Sequence, residues 1–122
     1  MPDARLRSTP LVAADPWDDV AEAERDDRAA LARQLRAIDR LEGQWPDDPE
    51  VPDLASELAR SHGWSHYEAS ERIRIAVALR ELPHIATAFA NGRLSWSQLR
   101  WVTRFATHET DREWSIKAQP RA

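Results

Sequence analysis

The chain has 122 residues, of which 42% are hydrophobic, and a formal net charge of −4. This length is enough for one modest domain, and a second full domain is not expected. The absence of cysteine excludes a disulfide framework, a thiolate nucleophile and a zinc site with cysteine ligands. A cytoplasmic location is expected, because the N-terminus lacks a secretory pattern and no segment approaches membrane-spanning length.

The charge is divided unevenly along the sequence. Residues 1–50 carry 13 acids and 7 bases, whereas residues 51–122 carry 8 acids and 10 bases. Within residues 58–104 the excess of basic over acidic residues is larger still, with seven arginines and three glutamates. Arginine suits bidentate contact with phosphate and guanine, which indicates a nucleic-acid partner. An arginine excess also follows from a GC-rich genome, and composition alone leaves both explanations open.

The N-terminal part divides into three predicted segments. Residues 1–14 show no helical or strand period and are predicted to be a disordered arm. A long, partly amphipathic helix is predicted over residues 15–43, with Asp15 as its cap and Pro16 in its first turn. Only the second half of this helix has an apolar face, formed by Leu31, Leu35, Ile38 and Leu41. Residues 44–52 form a proline-rich, acidic linker.

The remainder, residues 53–119, is predicted to be a helical domain with two similar units. In each unit a glycine, Gly63 or Gly92, closes one helix, and a serine two or three residues later caps the next. Glu68 and Gln98 stand three residues after these serines, as capping boxes require. Helices are predicted over 53–62, from 65 to about 81, over 83–91 and from 95 to about 106, with a last one capped by Thr107 or Thr110. The expected fold is all-α, a compact multi-helix domain of about six helices that contains a helix-turn-helix-like corner.

The apolar pattern of these helices predicts the core. The expected inward residues are Leu54, Leu58, Ala69, Ile73, Ala76, Val77, Ile85, Phe89, Leu99, Val102 and either Phe105 or Ala106, with Ile75, Leu79 and Leu82 extending the apolar surface. Trp101 is expected on a different face from Leu99 and Val102. Core packing is the default role of the tryptophans, and partner contact by Trp17 and Trp101 is the alternative.

Two long phrases, ELARSHGWSHYEASERIRIAVALRELP and AFANGRLSWSQLRWVTRFATHETDREW, resemble a known bacterial family. This is the domain of unknown function 222, also known as the REP repeat family, which precedes the nuclease domain in HNH-endonuclease proteins. The resemblance covers about residues 25–115. It implies a helical domain that leads, in other members, to a longer helical region and a ββα-metal nuclease. No such nuclease arrangement is found in this sequence, so no enzyme activity, cofactor or metal is expected of the chain itself.

The same stretch resembles, more distantly, the helix-turn-helix of ParB-type partition proteins, and by analogy this implies a DNA-binding geometry. A recognition helix would begin at Ser65, whose position at a helix start favours a phosphate. The residues then expected to reach base edges are His66, Tyr67, Ser70 and Arg74. The expected phosphate contacts are Arg60, Arg72, Arg93, Arg100 and Arg104.

A purely structural role for this helix is the competing interpretation. Glu68 and Glu71 lie on the same helix and would repel phosphate, Arg72 occupies a position that is often apolar in such motifs, and Glu71 can pair with Arg74. A metal site at His62 and His66 is not expected, because the turn at Gly63 separates the two histidines.

The sequence therefore gives one leading hypothesis and two alternatives. The first is a DNA-binding or DNA-positioning module, a truncated or stand-alone relative of HNH-endonuclease proteins, with duplex DNA as partner. The second is a protein-interaction module that self-associates through the acidic first helix. The third is a decayed fragment, since SIKAQPRA after Trp114 loses its apolar period. No membrane partner and no small-molecule substrate is expected.

Overall fold

The protein is built from α-helices over residues 15–120, which is the part of the chain that the computed structural model describes. Within these residues there is no strand. The elements are α1 (Pro16–Gln44), α2 (Leu54–His62), α3 (His66–Ala78), a 3₁₀ turn (Leu79–Glu81), α4 (Pro83–Ala90), α5 (Trp96–Val102) and α6 (Asp111–Lys117). The prediction of an all-α fold with about six helices is confirmed. The predicted arm, residues 1–14, lies outside the described residues.

The helix starts follow the predicted capping residues. Asp15 accepts a hydrogen bond from the backbone N–H of Trp17 at 2.9 Å, and Pro16 occupies the first helical position. Ser95 and Gln98 form the complete capping box at the start of α5. At the start of α3, the Oγ of Ser65 accepts from the N–H of residue 68 at 3.0 Å. The reciprocal half of that box is not formed, because the side chain of residue 68 pairs with Arg72 instead.

Two glycines make the short connections between helices possible. Gly63 closes α2 with φ of 69°, and Gly92 follows α4 with φ of 78°. This left-handed conformation is costly for any residue with a Cβ. Both glycines therefore act as predicted, and only three residues, 63–65, separate α2 from α3.

Helix α3 packs against α1 and α2, while α4 packs against α1 and α6. The core that these helices enclose consists of Ala32, Leu35, Ile38, Leu54, Leu58, Ala69, Ile75, Ala76, Leu82, Ile85, Ala88, Phe89, Leu94, Leu99, Val102 and Ala118. The predicted burial of Leu41 is wrong, since its side chain is exposed. The buried stripe of α1 runs instead from Ile38 towards Glu42, four residues on, because the helical period is 3.6 residues. Phe105 and Ala106 are the alternatives for the next core residue after Val102. Ala106 is half-buried, whereas Phe105 is exposed.

Helix α1 belongs to the core along only part of its length. Residues 15–27 are all exposed, and Trp17 reaches an exposure of 82%. From Arg28 onwards the helix has half-buried and buried positions. The prediction that only the second half has a face to bury is confirmed. The first half projects from the domain as an acidic, solvated helix.

Helix α4 begins without a capping residue of its own, since Leu82 provides no side-chain hydrogen bond. The carboxylate of Asp111, at the start of α6, accepts hydrogen bonds from the backbone N–H groups of His84 at 2.8 Å and Ile85 at 2.9 Å. Asp111 is 2% exposed. A residue 27 positions beyond His84 therefore supplies the cap, and the same contact joins α4 to α6.

Candidate nucleic-acid interface

The centre of the predicted site is a buried carboxylate, Glu71, on α3. Its side chain receives two hydrogen bonds from Arg74, each of 3.1 Å. The guanidinium of Arg104 lies 3.4 Å from both carboxylate oxygens, and the Nε of Arg100 lies 3.6 Å from one of them. Three arginines thus share one negative charge. The pairing of Glu71 with Arg74, one of the sequence expectations, is confirmed.

The ionisation of Glu71 follows from these neighbours. The hydrogen bonds from Arg74 are the largest cause that holds its pKa below the ordinary glutamate value, and the charges of Arg74, Arg104 and Arg100 act in the same direction. Burial opposes them by disfavouring the charged form. The carboxylate is therefore anionic at neutral pH, and the cluster retains a surplus of positive charge.

Arg74 is the most firmly held of the three arginines. Besides Glu71, it donates to the carbonyl oxygen of Arg100 at 3.2 Å and to the Oγ1 of Thr103 at 3.3 Å. These bonds join the middle of α3 to the end of α5. Arg74 therefore serves mainly to attach the two helices to each other.

Arg104 is the exposed member of the same cluster, and Arg100 is half-buried next to Tyr67 on the first turn of α3. Arg100 donates to the phenolic oxygen of Tyr67 at 3.0 Å, and its guanidinium lies 5.9 Å from the ring centroid. Tyr67 is 60% exposed, and the side chain of Arg104 is 52% exposed. We call Tyr67, Arg100 and Arg104 the arginine–tyrosine surface.

The other predicted residues of the α3 N-terminus adjoin this surface along the chain. Ser65 and His66 are exposed, and Ser70 is half-buried. The Nδ1 of His66 lies 3.4 Å from the Oγ of Ser70. The Ser65 hydroxyl is engaged as the helix cap, as described above, so its contribution to a ligand would come from its position at the helix N-terminus.

Arg72 is held by an internal network on another part of α3. It pairs with Glu68 at 2.8 Å and donates to Gln34 of α1. Its guanidinium stacks over Trp64 at 4.4 Å and lies 5.4 Å from the ring of Trp96. Such stacking places a cation between aromatic rings and ties α1, α3 and the two capping turns together. The structure does not bring Arg72 into the arginine–tyrosine surface.

The remaining predicted arginines are also separate from it. Arg60 lies on α2, where it pairs with Glu57, and Arg93 is exposed in the loop between α4 and α5. Arg80, a further cation of the basic segment, pairs with Asp39 and Glu42 of α1. Much of the arginine excess seen in the sequence is thus neutralised internally, and what remains lies at the exposed Arg93 and at the cluster around Glu71.

The sequence predicts a surface charge at Glu71, whereas the side chain is buried and forms the hub of this cluster. One signal was present, because Glu71 stands four residues before Ile75, which is fully buried on the same helix. A charged residue on a buried face needs partners. Arg100, on α5, and Arg104, just after it, lie 29 and 33 positions further along the chain. These partners could not be paired with Glu71 from the sequence alone.

The sequence matches the model of the family described as "Domain of unknown function (DUF222)" over residues 15–119. The chain belongs to this family, whose description assigns no activity. No curated protein and no solved structure shows significant similarity to it. None of the helices between residues 15 and 120 combines the length and apolar character needed to cross a bilayer. In the same range, no three histidine, aspartate or glutamate side chains are grouped to hold a metal ion.

Proposed function

We propose that this protein binds duplex DNA through the arginine–tyrosine surface and the adjoining N-terminus of α3. The observation that carries the proposal is the sharing of Glu71 by three arginines. A one-to-one ion pair would leave no net charge, whereas three arginines around one carboxylate leave a net charge of +2. Arg104 is the most exposed of the three, and Arg100 lies beside the exposed Tyr67. A polyanion is the partner that this surplus suits best.

In this proposal the residues of the surface make two kinds of contact with DNA, to phosphates and to base edges. Arg100 and Arg104 would bind phosphate oxygens, which fixes the position of the protein on the duplex. Tyr67, His66 and Ser70 stand on or just after the first turn of α3, where a helix-turn-helix protein presents side chains to base edges. The free N–H groups and the dipole at the start of α3 add a partial positive charge beside them. In this proposal α2, the turn at residues 63–65 and α3 form the helix-turn-helix.

The proposal retains only part of the predicted contact set. Arg72 and Arg74 are committed to internal partners, and the charge of Arg60 is offset by Glu57. Arg93 is exposed and serves in this proposal as an outer phosphate contact. We place the domain as a DNA-positioning module of the HNH-endonuclease-associated type, and cleavage is not part of its proposed activity.

Binding of the full chain to a fluorescent duplex, followed by anisotropy over a salt series, tests this function. We expect affinity to fall steeply with rising salt, and Arg100→Gln with Arg104→Gln to weaken binding about tenfold or more and to reduce the salt slope by about two. Arg60→Gln is the matched control, since it removes the same type of charge from α2 and should change affinity little.

Two results would overturn the proposal. One is the absence of binding by the wild-type chain at low salt. The other is an equal loss of affinity in Arg60→Gln and in the Arg100 and Arg104 variant, because that would show a response to overall charge and not to this surface. Thermal unfolding of each variant verifies that the fold is retained.

A further inference from the structure

Helix α1 has its acids and bases in separate halves. Its cap and first half, residues 15–27, carry seven acids and a single arginine, Arg25. Its second half, residues 28–44, carries four arginines and two acids, and both acids pair with Arg80. The first half is thus strongly acidic and the second half is basic along a single continuous helix.

The separation is sharpest along one exposed stripe of α1. Spacings of four, three, four, four, three and four residues place its members on one helical face. The stripe consists of Asp18, Glu22, Arg25, Ala29, Arg33, Arg36 and Arg40. All of them are exposed except Ala29, which is half-buried. The stripe begins with acids, has a small residue near its middle and ends with arginines.

A groove of about 510 Å³ borders the basic end of this stripe. Arg36 and Arg40 stand at its edge, and its lining includes the apolar side chains of Leu35, Leu79 and Phe89. The walls come from α1, the end of α3 with its 3₁₀ turn, and α4. The groove therefore offers an apolar floor beside positive charge.

The acidic end of α1 presents a side chain that suits such a groove. Trp17 is 82% exposed although it is large and apolar. It lies about 100° around the helix from Asp18 and in line with the buried Leu35, five turns further along, and so on the side of α1 that faces the core in the second half. Because α1 is one helix from Pro16 to Gln44, Trp17 cannot fold back onto the groove of its own chain, which borders Arg36 about 28 Å further along.

We propose that two copies of this chain associate through antiparallel α1 helices. In a register centred at Asp27, Asp18 lies opposite the partner's Arg36, while Glu22 lies within one residue of the partner's Arg33 and Asp15 within one residue of the partner's Arg40. The three acid–base pairs thus fit one register to within one residue, and the two-fold axis repeats each of them. Ala29, near the centre, allows the helices to approach closely.

The same register places Trp17 opposite position 37 of the second copy, next to the groove edge formed by the partner's Arg36 and the partner's Arg40. The indole fills the apolar groove, and each copy supplies one indole and one groove. A parallel arrangement would instead set acids against acids and arginines against arginines. A second copy is thus the occupant that charge and shape together favour.

Complementary charge-reversal variants of the full chain test the arrangement by sedimentation equilibrium. The first variant combines Asp18→Arg with Glu22→Arg, and the second combines Arg33→Glu with Arg36→Glu. Each variant alone opposes like charges at both ends, so we expect the dimer dissociation constant to rise about tenfold or more. An equimolar mixture restores opposite charges at both ends and should form a heterodimer.

Asp19→Arg with Asp27→Arg is the matched control, because it makes the same charge change outside the stripe, with Asp27 on the opposite side of the helix, and should disturb the dimer less. Trp17→Ala should weaken the dimer through the loss of the groove contact. All altered positions are exposed, so circular dichroism should show an intact helical fold.

The proposal is overturned if the wild-type chain stays monomeric at high concentration, if the mixture remains monomeric, or if the control dissociates as strongly as the stripe variants. Its failure is separate from that of DNA binding, since the arginine–tyrosine surface keeps its residues in every one of these variants.

Discussion

Two regions of the molecule bury a carboxylate, and they satisfy it in different ways. Asp111, at the start of α6, accepts hydrogen bonds from the backbone N–H groups of His84 and Ile85 on α4. Glu71, on α3, is surrounded by the guanidinium groups of Arg74, Arg100 and Arg104. Asp111 is 2% exposed and Glu71 is 7% exposed.

The two carboxylates therefore have different roles: Asp111 stabilises the fold, whereas Glu71 organises a charged surface. Asp111 is held by two backbone N–H groups and by the Nδ1 of one imidazole, that of His84, at 3.0 Å. This contact joins two helices and leaves no surplus of cations for a ligand. Arginines bring one charge each, and the Glu71 cluster therefore has more cations than it needs for neutrality. The same requirement, a partner for every buried charge, yields a structural cap in one region and a candidate binding surface in the other.

The largest expected effect comes from removing the structural carboxylate. Asp111→Ala should destabilise the protein by about 3–4 kcal/mol, because α4 loses its cap and the buried N–H of Ile85 loses its acceptor. Urea denaturation followed by circular dichroism measures this change. Asp111→Asn retains one oxygen acceptor and should lose less. A cost of Asp111→Ala below about 1 kcal/mol would show that α4 does not depend on this cap.

Removing the charge of Glu71 should have a smaller effect that depends on pH. Glu71→Gln keeps an acceptor for Arg74 but leaves the arginines without a counter-charge, so we expect a loss of about 1–2 kcal/mol at pH 7. The pKa of Glu71 is lowered in the folded protein, chiefly by Arg74. Its stabilising contribution is therefore complete above the pKa of an unfolded glutamate, about 4.3.

As the pH falls through the lowered pKa, the unfolded chain takes up a proton more readily than the folded one, and this contribution disappears. The difference in unfolding free energy between wild type and Glu71→Gln should thus be constant from pH 7 to about 5 and shrink below about 4. Urea denaturation at several pH values measures it. A difference that does not change with pH would mean that the charge of Glu71 contributes nothing.

The local part of the fold could be predicted from the sequence. Asp15 and Ser95 act as helix caps, and Gly63 and Gly92 adopt positive φ, because these features depend on a few neighbouring residues. The all-α class follows from the helical period of the apolar residues. Each of these features is determined by residues that lie within one or two helical turns of one another.

The pairing of charges across the fold could not be predicted in the same way. Asp111 caps a helix that begins 28 positions earlier, at Pro83, and nothing local identifies it as the acceptor that α4 lacks. The number of arginines in the basic segment likewise exceeds the number that are free to bind a ligand, because Arg72 and Arg80 bind acceptors on α1. The arginine–tyrosine surface, which we propose as the site, therefore keeps only some of the arginines that the sequence predicted as contacts.

The smallest expected effect on stability is that of Arg104→Gln, and it sharpens the contrast between the two carboxylates. Arg104 is 52% exposed and lies 3.4 Å from a carboxylate that Arg74 already satisfies, so its loss should cost less than about 1 kcal/mol in unfolding free energy. Yet Arg104 is a major part of the surplus charge, and the same variant should weaken DNA binding measurably. Urea denaturation and DNA anisotropy of one preparation give both values. A large loss of stability would show that Arg104, like Asp111, mainly stabilises the fold and does not serve as a surface contact.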